Sequence, residues 1–250
     1  MNVLIAKTIA ECEQWADVAV VVDVLGTGST LCSLLKRGKK DVLLFAEAKQ
    51  AEAFAQTHGD FEVYCDEDLS VSHEGNSPYL ASKASAHKPA LVAGSSGAKA
   101  VMNLRNASTV LMGGFCNFYA LAETLSNQGK DVLLIPSALY GMSDDVEDGL
   151  CVSALKDYIQ RIGNPQDAIV EFNNTMRCDE FIKHGPKTAD KDLKLSFKLD
   201  GLPIVPQISF SQEGYGVCHP AGTQAPAKWM GSWNQQPQQE APAAARADDL

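Results

Sequence analysis

Apolar runs along this chain stop repeatedly at small polar loops, and each is followed by a segment with helical periodicity. The sharpest case is residues 18–25, Val-Ala-Val-Val-Val-Asp-Val-Leu. They lead through Gly26, Thr27, Gly28, Ser29 and Thr30 into Leu31, Leu34 and Leu35. The step recurs at residues 90–93 before Gly94, Ser95, Ser96 and Gly97, and at 109–112 before Gly113, Gly114 and Asn117. A fourth follows residues 131–135, with a longer loop over 136–144 and a helix through Tyr158. Residues 42–45 predict another strand, 47–57 another helix, and the first seven residues the start of a strand. Short apolar runs alternating with helices call for parallel strands and crossover helices. The expected class is α/β: three α/β/α layers around a mostly parallel sheet, with room for two related lobes.

Beyond Gly163 the rhythm weakens. Residues 167–181 predict one helix, and 193–205 suit strand or helix. From 221 onward the chain turns to Ala, Pro and Gln with little to bury. One folded domain over 1–220 and a disordered tail over 221–250 are therefore expected. Trp229 and Trp233 fall in that tail and read as mobile linker, with a short docking segment as the alternative.

Composition narrows the function. The 250 residues are 45% hydrophobic and 21% charged, ordinary for a globular enzyme. A formal net charge of −10 argues against nucleic acid, which would want a basic stripe. No apolar run approaches the roughly 20 residues that cross a bilayer, and the N-terminus lacks the pattern of a signal peptide. A cytoplasmic protein without a membrane partner is expected. The seven cysteines form no C-x-x-C pair, so neither a zinc site nor a disulfide framework is indicated.

Candidate chemistry gathers at the strand ends, where ligands sit in open α/β sheets. Asp23 is delivered there by a buried strand, although a lone strand-end aspartate also serves as a helix cap or turn closer. The adjoining loop 26–30 has glycines that let backbone approach a ligand and hydroxyls that donate to it. Asp144, Asp145, Glu147 and Asp148 form a second acidic cluster before a helix. First-turn carboxylates are favoured in any helix, yet these would share a rim with Asp23. Mg²⁺ prefers one or two carboxylates, water and a substrate phosphate, so Asp23, Glu147 and Asp148 are the candidate metal ligands. Asn76 and Ser77, before Pro78, make a turn or add donors, as do Ser95, Ser96 and Asn117. Walker A, C-x₅-R and G-x-S-x-G patterns are absent. The segment from Asp66 to Ser70 only faintly matches D-x-D-x-[TV] and suits an exposed loop.

Several of these segments together resemble the 2-phosphosulfolactate phosphatases, the ComB-like proteins. The matching steps are Asp23-Val24-Leu25 with its Thr-containing loop, Gly75-Asn76-Ser77-Pro78, Gly94-Ser95-Ser96-Gly97, Gly113-Gly114-Phe115-Cys116-Asn117 and Glu147-Asp148-Gly149-Leu150-Cys151. They occur in the same order over roughly residues 18–160. The resemblance implies an α/β fold and Mg²⁺-dependent hydrolysis of a phosphate monoester on a small 2-hydroxy acid. It also implies a small anionic phosphate ester as partner; a homodimer is left open. Asp23 is the one candidate for a catalytic group. Gly26, Thr27, Gly28, Ser29, Thr30, Asn76, Ser77, Ser95, Ser96 and Asn117 would surround the anion. Two arginines usual in the family are missing: Gly26 stands at one position, and residues 65–68 hold none. Lys36, Lys99 and Arg105 are the candidate substitutes. The alternative reading is a non-catalytic member that binds a small anion or a protein.

Overall fold

The computed structural model describes residues 1–141 and 145–231. Asp144 and Trp233, and the tail expectation beyond 231, lie outside them. The first half of the chain runs β1 (Val3–Ile5), α1 (Ile9–Gln14), β2 (Val18–Val22), α2 (Thr27–Lys36), β3 (Val42–Phe45), α3 (Ala48–His58), β4 (Glu62–Cys65), α4 (Pro78–Ala81), β5 (Ala90–Ala93) and α5 (Ser96–Met102). It continues through β6 (Thr109–Gly113), α6 (Phe118–Gln128), β7 (Val132–Pro136), α7 (Val146–Ile159), α8 (Pro165–Asn173), α9 (Met176–His184), α10 (Ala189–Ser196), β8 (Pro206–Phe210) and β9 (Gly216–Pro220). The class is α/β, as the alternation predicts.

All nine strands join one sheet in the order β1-β7-β2-β6-β8-β9-β3-β5-β4. β1, β7, β2 and β6 are mutually parallel, and so are β3, β5 and β4. Between the two groups sits the hairpin β8–β9, antiparallel to β6 on one side and β3 on the other. Three antiparallel steps reverse direction, so the three-stranded half runs opposite to the four-stranded half. Neighbouring strands rotate by roughly 20–25°, so the five steps from β2 to β5 accumulate on the order of 100°. Residues that follow strands of both halves border one cleft.

Burial explains the layers. β2, Val-Ala-Val-Val-Val, is fully buried, as a valine-rich strand between two parallel neighbours should be. One face of the whole sheet packs on α2 and α5. Val21, Val42, Leu44, Val92, Val110 and Met112 meet Leu31, Leu34, Ala98 and Val101 in one continuous core. The other face is divided. Val18, Val20, Val22, Leu111 and Leu134 pack with residues of α6, α7 and α8, whereas Leu43, Val63, Leu91 and Val217 pack with α3 and Trp229.

Four expectations are corrected. The loop after β2 is shorter than 26–30, because α2 begins at Thr27. Residues 167–181 are not one helix: α8 ends at Asn173, and Thr175 caps a new helix by accepting from the Cys178 N–H. Residues 193–205 finish α10 and then run irregularly to β8, and neither β4 nor the hairpin was predicted. Trp229 is not linker. Its ring is buried beside Phe54 and Phe61, and its indole N–H donates to Asp41 Oδ1 at 2.9 Å. An isolated tryptophan in a Pro/Gln-rich stretch has no periodicity to reveal such docking.

Candidate active site

Asp23 follows directly on β2 and is 6% exposed. Its Oδ2 accepts the Thr27 N–H at 2.8 Å, in the first turn of α2. Its Oδ1 accepts no hydrogen bond among the described residues. Gly26 and Gly97 press on this carboxylate from two sides, and a methyl group added at either would overlap it. Glycine at both positions lets the backbone approach the Asp23 carboxylate closely as it is placed here. Thr27 Oγ1 pairs with Ser95 Oγ and accepts from Asn76 Nδ2 at 3.0 Å. The buried Asn76 Oδ1 has no partner among the described residues.

The opposite rim comes from the loop after β7 and the start of α7. Asp148 Oδ1 accepts the Val24 N–H at 2.9 Å; its Oδ2 accepts Ser137 Oγ at 2.7 Å and the Ala138 N–H at 3.2 Å. Glu147 lies alongside, and Arg177 of α9 donates to its Oε1 at 3.2 Å and to Asp145 Oδ1 at 2.8 Å. Asp23, Gly26, Asp66, Asn76, Ser95, Ser96, Asp145, Glu147, Asp148 and Arg177 thus border one cleft of about 170 Å³. A larger hollow of about 400 Å³ beside β4 lacks this convergence, and its Lys88 and Asp60 pair at 2.6 Å.

Five carboxylates face one guanidinium, and burial magnifies the imbalance. Burial pushes Asp23 up to about 7 despite the Thr27 N–H, with Asp145, Glu147 and Asp66 adding repulsion. Asp148 is also raised, by burial and by the neighbouring Asp23. Glu147 is raised by burial, with Arg177 opposing. Such a cluster calls for protons or a cation.

Some predicted residues serve the scaffold instead. Gly28 packs against the carbonyls of Asp23 and Gly113, Ser29 Oγ donates to the Val24 carbonyl at 2.7 Å, and the Thr30 hydroxyl is buried. Ser77 caps α4 and donates to Asp192 Oδ1 at 2.6 Å. Asn117 is fully enclosed, bonded to the backbone of Gly114, Met112 and Ile204. None of these five lines the cleft. Successive residues in the first turn of a helix point in different directions around its axis, so a loop motif overstates the contact set. The suggested replacement cations are also elsewhere. Lys36 holds the Gly201 carbonyl, Arg105 holds that of Gly214, and Lys99 does not border the cleft.

The sequence reading missed Asp66 and Arg177 as cleft residues and did not select Asp145. Asp66 Oδ1 fixes the Asn76 N–H at 2.8 Å, and its strand β4 was the signal that could have placed it. Arg177 has no local motif and arrives only through the packing of α9.

Among the described residues, no three acidic, histidine or cysteine side chains make a ready metal cage. Mg²⁺ does not need one, since it takes few protein ligands. The unused Asp23 Oδ1 and Asn76 Oδ1 are hard oxygen donors of the kind it prefers, so the donor set fits.

The fold and cleft define an α/β protein with a carboxylate-rich cleft at the strand ends, without histidine or cysteine among the described lining residues. A family profile described as 2-phosphosulpholactate phosphatase matches residues 3–209, and the chain belongs to that phosphatase family. A Clostridium tetani protein named probable 2-phosphosulfolactate phosphatase is 25% identical over 205 residues, covering 75% of this chain and 88% of its own. Proteins of the same name from Clostridium acetobutylicum and Thermoplasma acidophilum are each 24% identical. They cover 76% and 78% of this chain and 88% and 87% of their own.

Proposed function

We propose that this protein hydrolyses the phosphate monoester of a small 2-hydroxy acid, of the 2-phosphosulfolactate type, with Mg²⁺ in the cleft. The carrying observation is the buried Asn76 Oδ1, without a partner among the described residues, in a cleft with Asp23, four further carboxylates and a single guanidinium. A phosphate dianion could not enter that ring without a cation to offset it. Asp23 and Asn76 would hold the metal, with Glu147 beside them. Bound there, Mg²⁺ supplies neutralisation of the phosphoryl oxygens and a more acidic water.

The chain's own groups do the rest. Thr27 holds the Asp23 carboxylate through its N–H while its hydroxyl pairs with that of Ser95, and Ser96 adds another hydroxyl, bonded to Ser137 at 3.0 Å. Asp148 ties the Val24 N–H to Ser137 and Ala138, fixing the two rims against each other. Asp23 is the one candidate for a proton acceptor or nucleophile.

The test is phosphate release from a panel of 2-phospho acids, with Mg²⁺ and with EDTA, by wild type and Asp23→Asn. Mg²⁺-dependent turnover that falls at least ~10³-fold in the variant is expected, given the ~10²–10³ lost with single stabilising groups elsewhere. Turnover undiminished in EDTA would overturn the metal assignment. Thermal stabilisation by the acids without turnover would favour a binding protein.

A further inference from the structure

We propose that Arg177 is the specificity-determining residue that recognises the substrate's second anion, the carboxylate or sulfonate beside the phosphate ester. This rests on the phosphatase reading and deepens it.

Four observations carry it. Arg177 is the only cationic side chain bordering the cleft among the described residues. Its guanidinium already holds oxyanions: Nη2 reaches Asp145 at 2.8 Å and Glu147 at 3.2 Å, and Nε approaches Glu147 at 3.5 Å. Its Nη1 donates to no acceptor among the described residues, leaving an edge of the fork for another oxyanion. Finally, Arg177 reaches in from α9, a helix with no buried residue, and its side chain is 31% exposed. It stands at the open rim, while Asp23 and Asn76 lie at the buried end.

Charge separates the two ends. The Asp23 end offers oxygens and suits a cation with its phosphate, but it repels a free carboxylate. The adjacent loop supplies no cation, because Gly26 carries no side chain where the family usually has an arginine. An acid group entering with the ester therefore meets one attractive partner. A planar guanidinium binds carboxylate and sulfonate oxygens in pairs, geometry that an ammonium does not reproduce. Arg177 would share its donors between Asp145, Glu147 and the substrate, so its loss should weaken binding more than it slows chemistry.

The experiment compares wild type, Arg177→Met and Arg177→Lys on 2-phospholactate, which carries a second anion, and p-nitrophenyl phosphate, which does not. Arg177→Met should raise KM for 2-phospholactate about 10–100-fold, the worth of a charged hydrogen bond. Its loss of kcat/KM should be at least about tenfold larger on 2-phospholactate than on p-nitrophenyl phosphate, with the difference carried by KM. Arg177→Lys keeps the charge and the partner of buried Glu147, and should recover part of the KM. Equal losses on both compounds would overturn the proposal, as would an unchanged KM.

If wild type turns over neither compound, the phosphatase reading fails by itself. The same variants are then read by calorimetry with 2-phospholactate against inorganic phosphate. Selective loss of 2-phospholactate affinity in Arg177→Met supports the assignment; parallel affinities, or no binding to wild type, overturn it.

Discussion

The two halves of the sheet bring different chemistry to the same cleft. The four-stranded half delivers charge: Asp23 after β2, and Asp145, Glu147 and Asp148 after β7. The three-stranded half delivers mainly neutral donors, Ser95 and Ser96 after β5 and Asn76 beyond β4, with Asp66 holding the Asn76 backbone. One half thus creates an electrostatic problem, and the other supplies short polar groups that fit around it. Within the charged half the contrast sharpens. Asp148 is saturated by three donors and holds backbone together, whereas Asp23 receives one and keeps an oxygen unused. Equal burial therefore conceals two different hydrogen-bond environments, and the proposed function assigns the chemistry to Asp23.

The largest expected effect tests the structural side. Asp148→Ala would strand the Val24 and Ala138 N–H groups and the Ser137 hydroxyl, at about 1–3 kcal/mol for each buried group left unpaired. Relief of repulsion with Asp23 offsets part of this, so a net loss of roughly 2–5 kcal/mol is expected in urea unfolding. A loss below about 1 kcal/mol would erase the distinction between the two aspartates.

The next effect concerns pH. The raised Asp23 carboxyl holds its proton in the folded protein at pH values where an unfolded aspartate, with a pKa near 3.9, has lost it. Between about pH 4 and 7 the folded state binds more protons. Metal-free stability contributed by this group should therefore fall as pH rises through that window and stay low above it. The contribution is on the order of a few kcal/mol, at roughly 1.4 kcal/mol per pKa unit. Asp23→Asn should flatten the slope and raise the melting temperature at pH 8 in EDTA. A steeper slope in the variant would contradict the burial argument.

The smallest effect separates scaffold from ligand contact in the neutral half. Ser77→Ala removes the α4 cap and one donor to Asp192, at about 1–2 kcal/mol. Thermal melts should register that loss, while kcat/KM per folded molecule stays within about twofold. A tenfold fall in kcat/KM would return Ser77 to the substrate shell.

How much was legible follows from where each signal resides. The valine run of β2, the small residues after it and the helices α2, α3, α5 and α6 could be read because their periodicity is local. Asp23 was legible for the same reason: a carboxylate ending an apolar strand stands out. The hairpin β8–β9 was not, since Pro-Gln-Ile-Ser-Phe and Gly-Val-Cys-His-Pro lack the strong apolar pattern of the parallel strands. Ser29, Thr30, Ser77 and Asn117 belong to the right segments but turn inward, and orientation within a turn depends on the elements packed around it. Trp229 was misread because its partners, Phe54, Phe61 and Asp41, lie about 170–190 residues earlier.

The sequence by itself determined the α/β class, the family and the position of Asp23, all carried by short segments whose apolar spacing and small residues act locally. Only the tertiary structure decided that two oppositely running halves share one cleft, that Asp66 and Arg177 belong to it, and that Asp148 ties Val24 to Ser137 and Ala138. Those outcomes depend on accumulated sheet twist, burial and long-range charge pairing, which arise when distant segments exclude water together.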